Sequence, residues 1–132
     1  MEVRTTFKGG HRVDAEFAGF VVRTDHSRED GGEGSAPAPW QMYLASIATC
    51  VGAYVLGACW ERNLPAEGIE VVLGEEYDPP GERLARVKLT LVVPPGIPER
   101  DRAALVRAAE RCAVKEAISD PPGFEITAVS RA

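Results

Sequence analysis

The residues in this 132-residue chain best suited to covalent chemistry are three cysteines, Cys50, Cys59 and Cys112. A thiolate is both a nucleophile and a metal ligand, so their placement decides what they can do. Three is an odd, small number, and the N-terminal MEVRTTFKGG lacks the apolar run of a secretion signal. That combination does not describe a disulfide framework; it leaves core thiols, a redox pair or a metal site. At about 100° of rotation per helical residue, Tyr43, Ser46 and Tyr54 share the azimuth of Cys50, while Cys59 falls nearly opposite, beside Trp60. The plainest role for such thiols is that of small buried hydrophobes. Cys112 is expected in the middle of a second long helix, on its apolar stripe. If Cys50 and Cys112 converge, one could attack a substrate and the other resolve the product as a disulfide, but spacing alone does not separate this from core filling. His11 and His26 bring the possible metal ligands to five, yet there is no Cys-x-x-Cys pair and Cys50 and Cys59 point apart, so no zinc site is expected. The glycines from Gly31 to Gly34 lack the lysine of a phosphate loop, and no acyl-transfer triad is visible.

The elements that must position these thiols can be read from the hydrophobic period. Val3, Thr5 and Phe7, then Val13, Ala15 and Phe17, then Phe20, Val21 and Val22 alternate between glycine-marked turns, which predicts an antiparallel meander of three short strands. SREDGGEGSAPAP, residues 27–39, is a polar surface loop. Pro39 opens a helix running to about Arg62 and ending near Asn63 and Pro65, with Leu44, Ile47, Val51, Tyr54, Val55 and Ala58 as its apolar stripe. Few charges interrupt any of its faces. It is therefore expected to be buried all round, with a sheet on one side and a second subunit on the other. Residues 69–73 and 87–93 predict a hairpin around Asp78-Pro-Pro-Gly81, with Val87, Leu89, Leu91 and Val93 facing inward. Pro94, Pro95 and Pro98 precede a helix over 99–119, with Glu99 and Asp101 in its first turn. Phe124 to Val129 predicts a closing strand. The order βββ-α-ββ-α-β defines an α+β fold.

The length and composition suit a single domain over residues 1–132, with 45% hydrophobic and 27% charged residues. A net charge of −5 without a basic patch argues against nucleic-acid binding. The apolar stretch from Trp40 to Trp60 could pass for a membrane span. Its Ala, Gly, Ser and Thr content fits a buried helix better, and the expected location is cytoplasmic.

Two segments carry a family resemblance. Pro39-Trp-Gln-Met-Tyr-Leu-Ala-Ser-Ile-Ala-Thr-Cys50 resembles the signature of the OsmC/Ohr family: a proline opening the central helix, small residues, then the reactive cysteine. Glu110-Arg-Cys-Ala-Val-Lys115 resembles the second motif, with Ala113 in place of the usual proline. The element order agrees over nearly the whole chain. The resemblance implies an intertwined homodimer whose antiparallel sheets wrap two central helices, with active sites at the subunit interface. It also implies a cycle in oxidative-stress defence. Cys50 reduces an organic hydroperoxide and becomes a sulfenic acid. Cys112 condenses with it, and a dithiol reductant, lipoyl-type or a small thiol, reduces the disulfide without metal or organic cofactor. An apolar pocket around Trp40, Tyr43 and Tyr54 would bind the substrate. In the family an arginine from the N-terminal strands, held by a glutamate after the helix-opening proline, keeps the cysteine ionised. Arg12 falls near the arginine's position, with His11 one residue away. Trp40 stands where the glutamate would be, and an indole cannot hold a guanidinium by a bidentate ion pair. Glu33, on the polar loop, is an alternative carboxylate. The substitution keeps a second reading open, in which the same scaffold binds a small apolar or electrophilic molecule without catalysis.

Overall fold

The structure, a computed structural model, describes residues 1–79 and 81–131. Its elements are β1 (Arg4–Gly9), β2 (Arg12–Phe17), β3 (Phe20–Thr24), α1 (Pro39–Glu61), β4 (Glu70–Tyr77), β5 (Leu84–Val92), α2 (Glu99–Ala109) and α3 (Ala113–Ser119). The chain divides into two compact units, Met1–Ser46 and Ile47–Ala132, with α1 running through the boundary. Pro80, in the expected hairpin turn, lies outside the described residues.

In the first unit β1, β2 and β3 form an antiparallel meander in that order. Phe17 pairs with Phe20 across Ala18 and Gly19, both at positive φ (49° and 82°), as a two-residue hairpin turn requires. After β3 the chain is anchored by Asp25, which is 1% exposed and accepts hydrogen bonds from Ser35 Oγ–H (2.6 Å), Ser35 N–H (3.1 Å), His26 N–H (2.8 Å) and Glu33 N–H (3.3 Å). The polar loop is therefore wrapped around a buried carboxylate. Just before α1, Gln41 Oε1 accepts from Ala38 N–H at 2.9 Å and holds the helix entry.

In the second unit α1 supplies the stripe Val51, Val55, Ala58 and Cys59, which packs with Leu105, Ala108 and Cys112. Val71 of β4 and Leu89 and Leu91 of β5 close over this cluster, on the alternating inward positions that a hairpin with one wet face needs. By length and composition α1 could cross a membrane, but it is a core helix that buries Ile47, Val51, Val55, Ala58 and Cys59. It is not buried all round: Ala45, Ser46, Thr49, Ala53 and Trp60 are exposed on the chain. A chain of this size offers the helix only one core face. Asn63 (φ 53°) ends α1, with Leu64 N–H on Cys59 O (2.9 Å) and Asn63 N–H on Trp60 O (3.3 Å), so the last turn's carbonyls are satisfied. Just beyond, Arg62 Nε donates to Asp101 Oδ1 at 2.8 Å and ties α1 to the first turn of α2.

Two expectations are corrected. The helix expected over 99–119 is two helices, because Cys112 takes an extended conformation (φ −55°, ψ 119°) after a tightened turn in which Arg111 N–H meets Ala108 O at 3.1 Å. The closing strand does not form. Residues 121–131 have no regular structure, and Phe124, Ile126 and Val129 are 88%, 94% and 93% exposed. Within one chain this segment pairs with no sheet edge, and a lone strand satisfies none of its backbone groups. The observed order is βββ-α-ββ-α-α.

Candidate thiol site

The break before α3 shapes the site. Cys112 is the N-cap of α3, and its Sγ accepts the N–H of Lys115 at 3.4 Å. That sulfur is fully buried, while Cys50, on the neighbouring face of α1, is half-buried against the same core cluster. The two thiols are hydrogen-bonded to each other. Cys50 also accepts from the backbone N–H groups of Val114 and Ala113. The first three amides of α3, those of Ala113, Val114 and Lys115, are thus directed at sulfur, the donors that a helix start leaves unpaired.

These contacts make the thiols unequal. The Val114 N–H, then the Cys112 thiol and the Ala113 N–H, hold the Cys50 pKa below the ordinary cysteine value against the opposing effect of burial. Burial pushes Cys112 up, and the neighbouring Cys50 pushes it further, against the N–H groups of Lys115 and Val114. Cys50 is therefore the sulfur that ionises first, with Cys112 as its S–H donor. Such an arrangement can deliver a nucleophilic thiolate with a second thiol in contact. Cys59 stays apart: it is fully buried in the core, which raises its pKa.

A cleft of about 210 Å³ is lined by Val51, Leu89, Leu91, Val106 and Ala109, with Glu110 and Lys115 as its charged residues. None of these apolar residues was picked out from the sequence as site-forming. The aromatic residues that were picked out do not line this cleft. Trp40, 48% exposed, packs on Tyr43 with ring centroids 5.0 Å apart. Tyr54 lines a separate shallow concavity with Ala53, Gly57, Ala58, Glu61 and Arg111. Arg12 is exposed, and its guanidinium donates to the carbonyls of Lys8 (2.9 Å) and Gly9 (3.3 Å) across the β1–β2 turn. His11 stacks on His26 at 4.9 Å, and Glu33 is engaged through its backbone, with its N–H on Asp25. Among the described residues no group of three or more His, Cys, Asp or Glu side chains is placed to hold a metal ion. Sequence reasoning missed the α3 amides altogether. The one signal for them is Ala113, since the proline it replaces in the resembling motif marks a first helical position.

The elements define an α+β protein with two antiparallel sheets, a long apolar core helix and a pair of hydrogen-bonded thiols beside it. The chain belongs to the OsmC-like protein family, whose match spans residues 32–127 and so includes both thiols. No curated protein matches it. Solved structures do. A protein from Psychrobacter arcticus 273-4, described as an osmotic stress induced and detoxification response protein, has a TM-score of 0.74 at 16% identity, over 87% of this chain and 85% of its own. An organic hydroperoxide resistance protein OsmC from Legionella pneumophila has a TM-score of 0.54 at 23% identity, over 89% of each chain. An organic hydroperoxide resistance protein from Vibrio cholerae, with captopril in one of its active sites, has a TM-score of 0.57 at 19% identity, over 92% of this chain and 86% of its own. At these identities the likeness establishes the fold.

Proposed function

We propose that this chain reduces organic hydroperoxides through Cys50 and Cys112, as a cytoplasmic homodimer acting in oxidative-stress defence. The Cys50 thiolate attacks the distal peroxide oxygen. The O–O bond breaks, an alcohol leaves after taking a proton, and Cys50 becomes a sulfenic acid. The sulfur of Cys112 then displaces the hydroxyl as water, forming the Cys50–Cys112 disulfide, which a dithiol reduces back to two thiols. The observation that carries this reading is the hydrogen bond between the two cysteines, with Cys50 the more acidic of the pair. The family and the hydroperoxide-resistance names of two structural neighbours agree with it. The cleft lined by Val51, Leu89 and Leu91 suits an alkyl substituent on the peroxide. On the resemblance, Arg12 is assigned the role of the cation near the thiolate, and Trp40, Tyr43 and Tyr54 line the substrate's approach.

Dithiol-dependent loss of cumene hydroperoxide tests this directly. The wild-type chain should turn over, Cys50→Ser should not, and Cys112→Ser should consume a single equivalent before stalling. Unchanged turnover in Cys50→Ser would sink the assignment. A second reading has one observation in its favour. Trp40 occupies the position of the glutamate that holds the arginine in the resembling peroxidases, which suits noncatalytic binding of a small apolar or electrophilic molecule. A wild-type chain that binds cumene alcohol but never consumes the hydroperoxide would favour it.

A further inference from the structure

The disulfide of this cycle poses a problem of access. Cys112 is fully buried in the reduced chain, whereas Cys50 is half-buried, so a reductant approaching the structure as it stands would meet Cys50. Thiol–disulfide exchange runs faster when the sulfur expelled is the better thiolate. Here that is Cys50, which requires attack on the hidden sulfur, Cys112. Access and leaving-group quality point to opposite atoms.

The construction of α3 resolves the conflict. It has seven residues, none fully buried and only Val114 packed against the core cluster, so it is far too short to persist on helical propensity alone. Its start depends on sulfur: Cys112 Sγ accepts Lys115 N–H at 3.4 Å, and Cys50 accepts the N–H groups of Ala113 and Val114. Joining the sulfurs turns a thiolate–thiol pair into a neutral disulfide, a weaker acceptor. All three N–H groups then face a weaker acceptor.

We propose that formation of the Cys50–Cys112 disulfide uncaps and releases α3, and that the reductant enters through this opening to attack Cys112. This rests on the two-cysteine reading and adds the direction of the reductive step. One thiolate of the dithiol bonds to Cys112 Sγ as the S–S bond breaks, and the electron pair leaves with Cys50 as a thiolate. The second thiol of the reductant, deprotonated, then displaces Cys112, which takes up the proton, and the reductant departs as a cyclic disulfide. Cys50 is returned already ionised for the next peroxide.

The test is independent of peroxidase activity, because the disulfide can be made in the full-length protein with diamide. Hydrogen exchange of residues 113–119 is compared in the reduced and oxidised states, with Cys50→Ser as an oxidant-treated control. The oxidised chain is then mixed with the monothiol 2-mercaptoethanol, quenched with iodoacetamide and mapped. The expected results are α3 amides that exchange roughly tenfold faster or more in the disulfide form, no change in the control, and the mixed disulfide on Cys112. Unchanged α3 protection, a mixed disulfide confined to Cys50, or failure of diamide to form the bond each overturns the inference. If diamide gives the expected pattern while cumene hydroperoxide is not consumed, the opening stands and the peroxidase reading falls.

Discussion

A thiol near the middle of a helix gains nothing from that helix's own ends, so whatever ionises Cys50 must come from another element. The family resemblance implies a cation, with Arg12 or His11 as its source, and the donors found at the sulfur are amides of α3. Ala113→Pro isolates one of them. Position 113 opens α3, where proline's fixed φ is tolerated, and Cys112 already has the extended backbone that a following proline demands. The substitution deletes one N–H and leaves Val114, the principal donor, in place. The expected outcome is an intact fold with the Cys50 pKa raised, read as a shift of the alkylation-rate profile toward higher pH. An unshifted profile would show that Ala113 N–H does not help ionise Cys50. The cysteines themselves were legible from their place in two motifs. The amides were not, because backbone donors leave no mark on a sequence and Ala113 removed the proline that would have announced them.

The elements follow from sequence where period and punctuation agree. The three-strand meander has glycines at its turns, and α1 has Pro39 at its start and Asn63 at its end. The division between α2 and α3 could not be read, since residues 99–119 are strong helix formers throughout and the break lies in the backbone of Cys112. Asp25 was not singled out either, because nothing distinguishes a buried, fully bonded carboxylate from a solvated one by residue type. Its pKa is lowered to about 2, chiefly by the Ser35 hydroxyl and then the Ser35 N–H, with burial opposing and His26 and Glu33 N–H adding to the lowering. A depressed carboxylate contributes its stabilisation fully above its unfolded value, near 3.9, and loses it as pH falls from there toward about 2. The amides of Glu33 and Ser35 should therefore exchange faster, relative to the strands, over that acid window. Ser35→Ala should narrow the window by moving its lower end to higher pH, and a lower end that does not move would remove Ser35 as the main cause. The tie between α1 and α2 gives a separate expectation. Asp101→Ala leaves Arg62 without its partner, and because that arginine is partly exposed, the cost should be about 1–2 kcal/mol, seen as a lower urea midpoint.

For the whole molecule, the question is what a single chain leaves uncovered. Phe7, Val13, Ala15, Phe17, Phe20 and Val22 share one face of the β1–β3 meander by register, yet Phe7 is 86% and Phe20 67% exposed. Trp60, Phe124, Ile126 and Val129 are exposed as well, and α1 has an outward face of small residues. Monomeric proteins rarely leave so many large apolar side chains exposed, and a strand-patterned segment such as 124–129 needs a sheet edge that its own chain does not give it. A second copy would supply cover for both. The expectation of a helix buried all round and that of a closing strand both failed for one chain, and they failed at the surfaces a partner would cover. The chain should therefore sediment as a dimer at micromolar concentration. Phe7→Glu with Phe20→Glu places carboxylates on the apolar face without touching the thiols, and should shift the protein toward monomer with a fall in stability. In the dimer, residues 124–129 should show the slow amide exchange of a paired strand. A wild-type chain that is a stable monomer, with that segment exchanging as freely as an unfolded peptide, would mean that these apolar surfaces have some other cover and that the dimer is wrong.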